Sequence, residues 1–215
     1  ILYGVMVATS VTVEKSNRSI EVLVTSVDAK YLLFGKVFAG ATAAIVQIGL
    51  ILASALIGYN INHTYWGDKL DMILKIPGSV LAGFAVFGIG GFLFYAFLYG
   101  AMGALVSKTE DINKSAGTLQ MLIMVVYFVV MFQLPTPDSV VMKVCSFLPF
   151  SSYSAMFVRI GMGSVTMAEI VTSALILFVS TFAAGWLAAK IYRMGTLRYG
   201  NPIKLTTALK SLKNN

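Results

Sequence analysis

Four long stretches of the chain carry no charged side chain, and they set its architecture. Residues 37–67, 76–107, 115–137 and 170–189 lack Asp, Glu, Lys and Arg, and the shortest of them runs 20 positions. A helix needs about 20 apolar residues to cross the hydrocarbon core of a bilayer. The pattern therefore predicts full spans over 37–58, 79–106, 116–134 and 169–190. The opening run, residues 1–12, is too short to cross alone and reads as the end of a truncated span. Between it and the first full span lies the polar region 13–36. Here Ile20, Leu23, Val24 and Val27 recur at helical spacing, with Glu14, Arg18, Glu21 and Thr25 nearly opposite. The spacing predicts a short amphipathic helix with favourable Glu14–Arg18 and Arg18–Glu21 pairs along it.

Residues 139–165 resist this scheme. The longest uncharged run there is 15 residues, and Pro149 interrupts it. Such a segment is either a fifth span or a pair of short helices dipping in from one side. Charge separates the two, because Lys and Arg collect on the cytoplasmic side. If 139–158 does not cross, the chain end 191–215 returns to the side of residues 13–36. Twelve of the 16 Lys and Arg then share the cytoplasmic side. A crossing would send the basic tail outside. The segment is therefore expected to be a re-entrant or interfacial outer hairpin, and residues 13–36 and the C-terminus to be cytoplasmic. Tyr59, Tyr65 and Trp66 at one border, and Trp186 and Tyr192 at the other, fit interfacial aromatic belts.

Composition agrees. The chain is 58% hydrophobic and only 12% charged, about half the charge of a soluble domain. Its net charge of +7 is therefore a matter of topology, and nucleic acid is not an expected partner. Cys145 and His63 each stand alone, which leaves no intrachain disulfide and no metal-ligand cluster to propose. No phosphate-binding G-x-x-x-x-G-K-[ST] loop occurs. Within the spans, Gln47, Gln133 and scattered Ser and Thr are the polar groups, so proton-coupled transport is disfavoured. The "GIGG" at 88–91 is expected to loosen or kink its helix. Ala96, Gly100 and Ala104, four apart, form a small-residue stripe suited to close helix packing, within the chain or against a second copy.

Two inner segments carry further signals. The mixed acidic and basic face around Arg18 suits a protein groove better than anionic lipid, which would select basic residues. In "SKTEDINKSAG", Ser107 and Glu110 have the S-x-x-E spacing of a capping box. Glu110 and Asp111 then sit where a helix N-terminus favours negative charge, and Lys108 beside them offers a second contact for a cytoplasmic partner. In the tail, Leu205, Ala208, Leu209 and Leu212 form a stripe flanked by Lys204, Lys210 and Lys213, which suits an anionic lipid surface.

Three stretches together resemble a known family. "VTVEKSNRSIEVLVTSV", "GALVSKTEDINKSAG" and "LPFSSYSAMFVRIGMG" are similar, in the same order, to segments of ABC-2 type transporter permeases, especially the sodium-efflux (Nat-type) branch. The chain departs from that pattern at Ser16, Ser19 and Tyr153. The resemblance implies an all-α polytopic plasma-membrane protein acting as the permease subunit of an ATP-driven exporter. It implies partnership with a second permease copy and with separate ATP-binding subunits. ATP and Mg would reside on those subunits, and no cofactor or metal on this chain. The region of Glu14, Lys15, Asn17, Arg18, Glu21, Leu23, Thr25 and Ser26 would be a coupling helix seated on the ATPase. Lys108, Glu110 and Asp111 would form the second cytoplasmic loop, and Pro149, Phe150 and Arg159 would mark the outer hairpin.

Two readings compete with transport. A membrane-embedded enzyme acting on lipid or peptide would have Ser151, Ser152, Tyr153 and Arg159 as its candidate cluster, without a general base. A scaffold or immunity protein would use the same fold without transporting anything.

Overall fold

The computed structural model describes residues 1–66 and 77–196. The described residues form helices and no strand. In chain order they are α1 (Leu2–Ser16), α2 (Ser19–Ser26), α3 (Ala29–Trp66), α4 (Gly78–Leu105), α5 (Ile112–Gln133), α6 (Val140–Phe147), α7 (Ser152–Gly161) and α8 (Met167–Thr196). A 3₁₀ turn, Thr109–Asp111, leads into α5. Four helical segments, Ala29–Asn62, Gly78–Leu105, Thr109–Gln133 and Met167–Gly195, are long and apolar enough to cross a bilayer. These are the four spans the uncharged runs predict, and the chain is an all-α polytopic membrane protein. The basic stripe beyond residue 196 lies outside the described residues.

Helix α4 is the axis of the bundle. It packs most extensively on α8, then on α1 and α7, with α3 and α5 completing its surroundings. Small residues make this possible, because without a Cβ or with only one, helix backbones approach closely. A Cβ on Gly103 would lie 2.5 Å from the Ala8 carbonyl oxygen, and one on Gly195 would lie 2.5 Å from that of Ala104. Gly100 seats the Leu33 side chain, and Gly91 seats Tyr153. The stripe Ala96–Gly100–Ala104 is therefore spent inside the chain. Ala96 and Ala104 are fully buried by α4's own neighbours. The "GIGG" segment does not break α4, which runs unbroken from Gly78 to Leu105. Its glycines admit Leu177 and Tyr153 instead.

Other local expectations need correction. The amphipathic helix over 14–27 is not one helix. Helix α1 runs through Ser16, and Arg18 then takes a left-handed conformation (φ 57°, ψ 6°) before α2 begins. Glu14 and Arg18 accordingly do not form an i, i+4 pair; Glu14 turns to Lys36 of α3, 2.5 Å away. The Ser107–Glu110 capping box does not form either. The 3₁₀ turn winds past it, and α5 starts at Ile112 without a side-chain cap. Tyr192 is fully buried, so it fills the core rather than a belt, whereas Trp186 is exposed with Lys190 Nζ 3.8 Å above its ring.

The hairpin consists of two helices, 8 and 10 residues long, each too short to span. Its position follows from the ends of its neighbours. The C-terminal ends of α1, α4 and α8 meet around the Ala104 carbonyl, and α1 also touches the 3₁₀ turn that starts α5. Helix α5 leaves that end and α8 returns to it, so the hairpin between them begins and ends at the opposite end.

Candidate functional site

Two polar assemblies stand out, one at each end of the bundle. The first surrounds α2. Ile20 is fully buried in the main core, and Val24 packs against that core with part of its surface covered. Leu23 is half-buried, while Asn17, Arg18, Glu21, Val22, Thr25 and Ser26 are exposed. The Thr25 and Ser26 hydroxyls donate back to the Val22 carbonyl, at 2.7 and 3.2 Å. The surface α2 offers outward is thus the Arg18 and Glu21 charges around an apolar Val22. Lys108 and Glu110, on the 3₁₀ segment beside the end of α1, are exposed, and Asp111 is half-buried. Asp111 pairs with Lys114 at 3.3 Å. Both segments singled out in the sequence therefore lie at one end of the molecule.

Lys15 does not share that surface. It is 1% exposed, and its Nζ donates to the Ala104 carbonyl at 2.8 Å. One helical turn earlier, the Thr12 hydroxyl lies 3.0 Å from both the Gly103 carbonyl and the Ala8 carbonyl of its own helix, and its single proton is shared between them. The Gly103 and Ala104 carbonyls belong to the last turn of α4, past the reach of i+4 amides, although the Val106 amide also donates to Gly103 at 3.3 Å. A lysine amine there also meets the partial negative charge of the helix C-terminus. Burial pushes the Lys15 amine down from the usual lysine range, to about 8. Beside it, Glu14 holds Lys36 of α3, and Lys36 also donates to Ser10 at 2.7 Å. Lys36 and Thr12 do not stand out in the sequence, since each lies in a helix where only a tertiary partner gives it a role.

The second assembly holds the hairpin. Arg159, 1% exposed, donates through Nη2 to Glu169 Oε1 and to the Ser164 carbonyl, both at 3.1 Å. Asp138 lies 3.8 Å away. Glu169 Oε2 accepts from the Thr166 amide at 2.9 Å, while the Glu169 amide donates to the Thr166 hydroxyl at 3.3 Å. This reciprocal pair is a capping box, with the same S/T-x-x-E signature readable at 166–169 of the sequence. Phe150 packs edge-on against Phe94, and its carbonyl accepts from Tyr95 at 2.7 Å. Neighbouring Pro149 is half-buried in the turn between α6 and α7. The Ser173 hydroxyl donates to the Ser146 carbonyl at 2.5 Å, fixing α6 to α8.

The hairpin cluster is not arranged for catalysis. The Ser151 hydroxyl is committed to the Cys145 carbonyl at 2.7 Å, and the Ser152 hydroxyl is buried without a partner. A serine nucleophile needs a base within hydrogen-bond reach, and the nearby carboxylate of Glu169 is taken up by Arg159 and Thr166. The two span glutamines are engaged, Gln47 accepting from Tyr3 and Gln133 from Ser139 at 2.7 Å, whereas the Tyr99 hydroxyl of α4 is buried without a partner among the described residues. No group of three metal-ligating side chains occurs among the described residues. A crevice of about 350 Å³ between α3 and α4 is lined by apolar residues including Ala41, Ile45, Ile48, Phe84, Gly88 and Phe92.

Four apolar spans and a surface helix bearing both charges define a polytopic membrane protein. The comparison with known families gives the class its name. Residues 1–190 match the model described as "ABC-2 family transporter protein", and the chain belongs to that family. It is 27% identical over 218 residues to the uncharacterized protein YhaP of Bacillus subtilis (strain 168), covering 99% of this chain and 51% of that protein. It is 28% identical over 212 residues to the uncharacterized protein MJ1024 of Methanocaldococcus jannaschii, covering 97% of this chain and 49% of that one. The chain thus spans about half the length of the curated relatives it matches. No solved structure matches it.

Proposed function

We propose that this chain is the permease part of an ATP-driven exporter and that α2 is where a separate ATP-binding subunit docks. Family membership supports the permease role. The observation that carries the docking role is the outward face of α2. Val22 is 69% exposed there, flanked by Arg18 and Glu21, while Ile20 anchors the other face. A helix resting on anionic lipid would carry mainly basic residues on its polar face, whereas one acid and one base around an apolar centre suit a complementary protein groove. Asn17, Thr25 and Ser26 border the same patch, and Lys108 and Glu110 lie exposed on the 3₁₀ segment at the same end of the bundle. Lys15 and Glu14 act behind the patch rather than on it.

In this reading ATP and Mg are held by the partner, and two permease copies pair in the plasma membrane with α2 and the C-terminus on the cytoplasmic side. Sodium export is what the likeness to the Nat-type branch offers. The crevice between α3 and α4 favours an apolar or amphipathic cargo such as a drug, peptide or lipid. Co-purification of the full-length protein with its ATP-binding subunit tests the docking role. The double reversal Arg18→Glu with Glu21→Lys should lower recovery of the complex at least tenfold without changing the melting temperature of the permease. Unchanged recovery and unchanged transport would remove α2 from the interface.

A further inference from the structure

Thr12 and Lys15 are three residues apart on α1 and reach two consecutive carbonyls, Gly103 and Ala104, in the last turn of α4. The end of α4 is thus capped from outside by another helix. The backbones touch at the same place, with the site for a Gly103 Cβ 2.8 Å from Ala8 Cα. Helix α8 joins there too, because Gly195 leaves room for the Ala104 carbonyl. Three residues after Lys15 the chain breaks at the left-handed Arg18. Helix α2 follows, eight residues long and fully buried only through Ile20. A short, lightly anchored helix therefore hangs directly from a tightly bonded joint.

We propose that Lys15 is a positioning residue that makes the ends of α1 and α4 one rigid joint, so that displacement of α2 is delivered into α4. This rests on α2 being the docking site for an ATP-binding subunit. Glu14 makes the complementary tie from α1 to α3 through Lys36. Of the two ties, the one to α4 reaches the axis of the bundle, and its donors end on backbone atoms rather than on a mobile side chain. Backbone acceptors within a helix move only with the whole helix, so the tie to α4 transmits displacement instead of absorbing it.

The test uses the full-length protein in complex with its ATP-binding subunit in lipid nanodiscs. Cys145 is replaced by Ala, and spin labels are placed at Ile57 on α3 and Leu81 on α4, both exposed. The distance between labels is measured without nucleotide and after trapping with Mg·ATP and vanadate. The wild-type distance should shift by about 2 Å or more. Lys15→Met should leave recovery of the complex unchanged and reduce the shift by at least half, and Lys15→Arg should restore most of it. An undiminished shift in Lys15→Met overturns the inference while leaving the docking role intact. Failure of the wild-type chain to bind any ATP-binding subunit overturns both. Should Lys15→Met not fold, Thr12→Val carries the test: a reduced shift supports the joint, and a wild-type shift overturns it.

Discussion

Lys15 and Arg159 sit at opposite ends of the bundle, each about 1% exposed, and the fold holds them differently, Arg159 through Nη2 alone while its Nε and Nη1 are buried without a partner among the described residues. Arg159 is held by charge: Glu169 at 3.1 Å and Asp138 at 3.8 Å balance it, and Glu169 also caps α8. Lys15 donates to a helix-end carbonyl, reinforced by backbones in contact at Gly103. The Arg159 end is a lock, which fails when a charge is removed. The Lys15 end is a joint, which fails when two backbones are forced apart. A lock suits a hairpin that closes one end of the bundle, and a joint suits a point through which movement passes.

The largest expected effect comes from breaking the lock on one side. Glu169→Ala leaves the Arg159 guanidinium buried with a distant partner and removes the carboxylate half of the α8 capping box, the Thr166 hydroxyl still accepting from the amide of residue 169. Removing one member of a fully buried pair costs about 3–5 kcal/mol; with the Glu169 side chain 28% exposed, the loss should fall at or below the lower end of that range, read as a drop in the melting temperature of the purified protein in nanodiscs. Replacing both members, Arg159→Met with Glu169→Met, should recover much of it, because no uncompensated charge remains. A double variant no better than the single would show that packing, not charge, holds the hairpin.

Next in size is the joint. Gly103→Leu drives side-chain atoms into the α1 backbone and should cost about 1–3 kcal/mol or abolish folding. Gly161, at the end of α7, has nothing within 4 Å of its Cβ position, so Gly161→Ala should change stability by less than about 0.5 kcal/mol. Equal effects at the two glycines would contradict the contrast between the ends. The smallest effect concerns the hinge beside the joint. Arg18 holds a positive φ of 57°, which costs an ordinary residue roughly 1 kcal/mol relative to glycine. Arg18→Gly should thus stabilise the isolated chain by about 0.5 kcal/mol, after allowing for glycine's greater freedom when unfolded, yet weaken recovery of the ATP-binding subunit. A gain in both would place the arginine outside the interface.

Much of the fold is legible in the sequence, and the reason is physical. Spans are announced by missing charge, so the four long helices follow from the runs alone. The hairpin follows from where Lys and Arg collect. Tertiary partners leave no such trace. Glu14 has Arg18 four residues on and still pairs with Lys36, because the left-handed turn at Arg18 carries its side chain off the helix line. Two stretches have the S/T-x-x-E signature, and only Thr166–Glu169 forms the box. At Ser107–Glu110 a 3₁₀ turn intervenes and delays the helix to Ile112. Lys15 reads as one more surface cation beside Glu14, and only the approach of α4 turns it inward.

Site-specific photo-crosslinking decides whether α2 meets the ATP-binding subunit. A benzophenone side chain is placed at Val22 on α2 or at Phe132 near the opposite end, positions 69% and 80% exposed, in the full-length protein co-expressed with its ATP-binding subunit. Docking through α2 predicts a covalent adduct with that subunit from Val22 and none from Phe132. An adduct from Phe132, or none from Val22 in an intact complex, would contradict it.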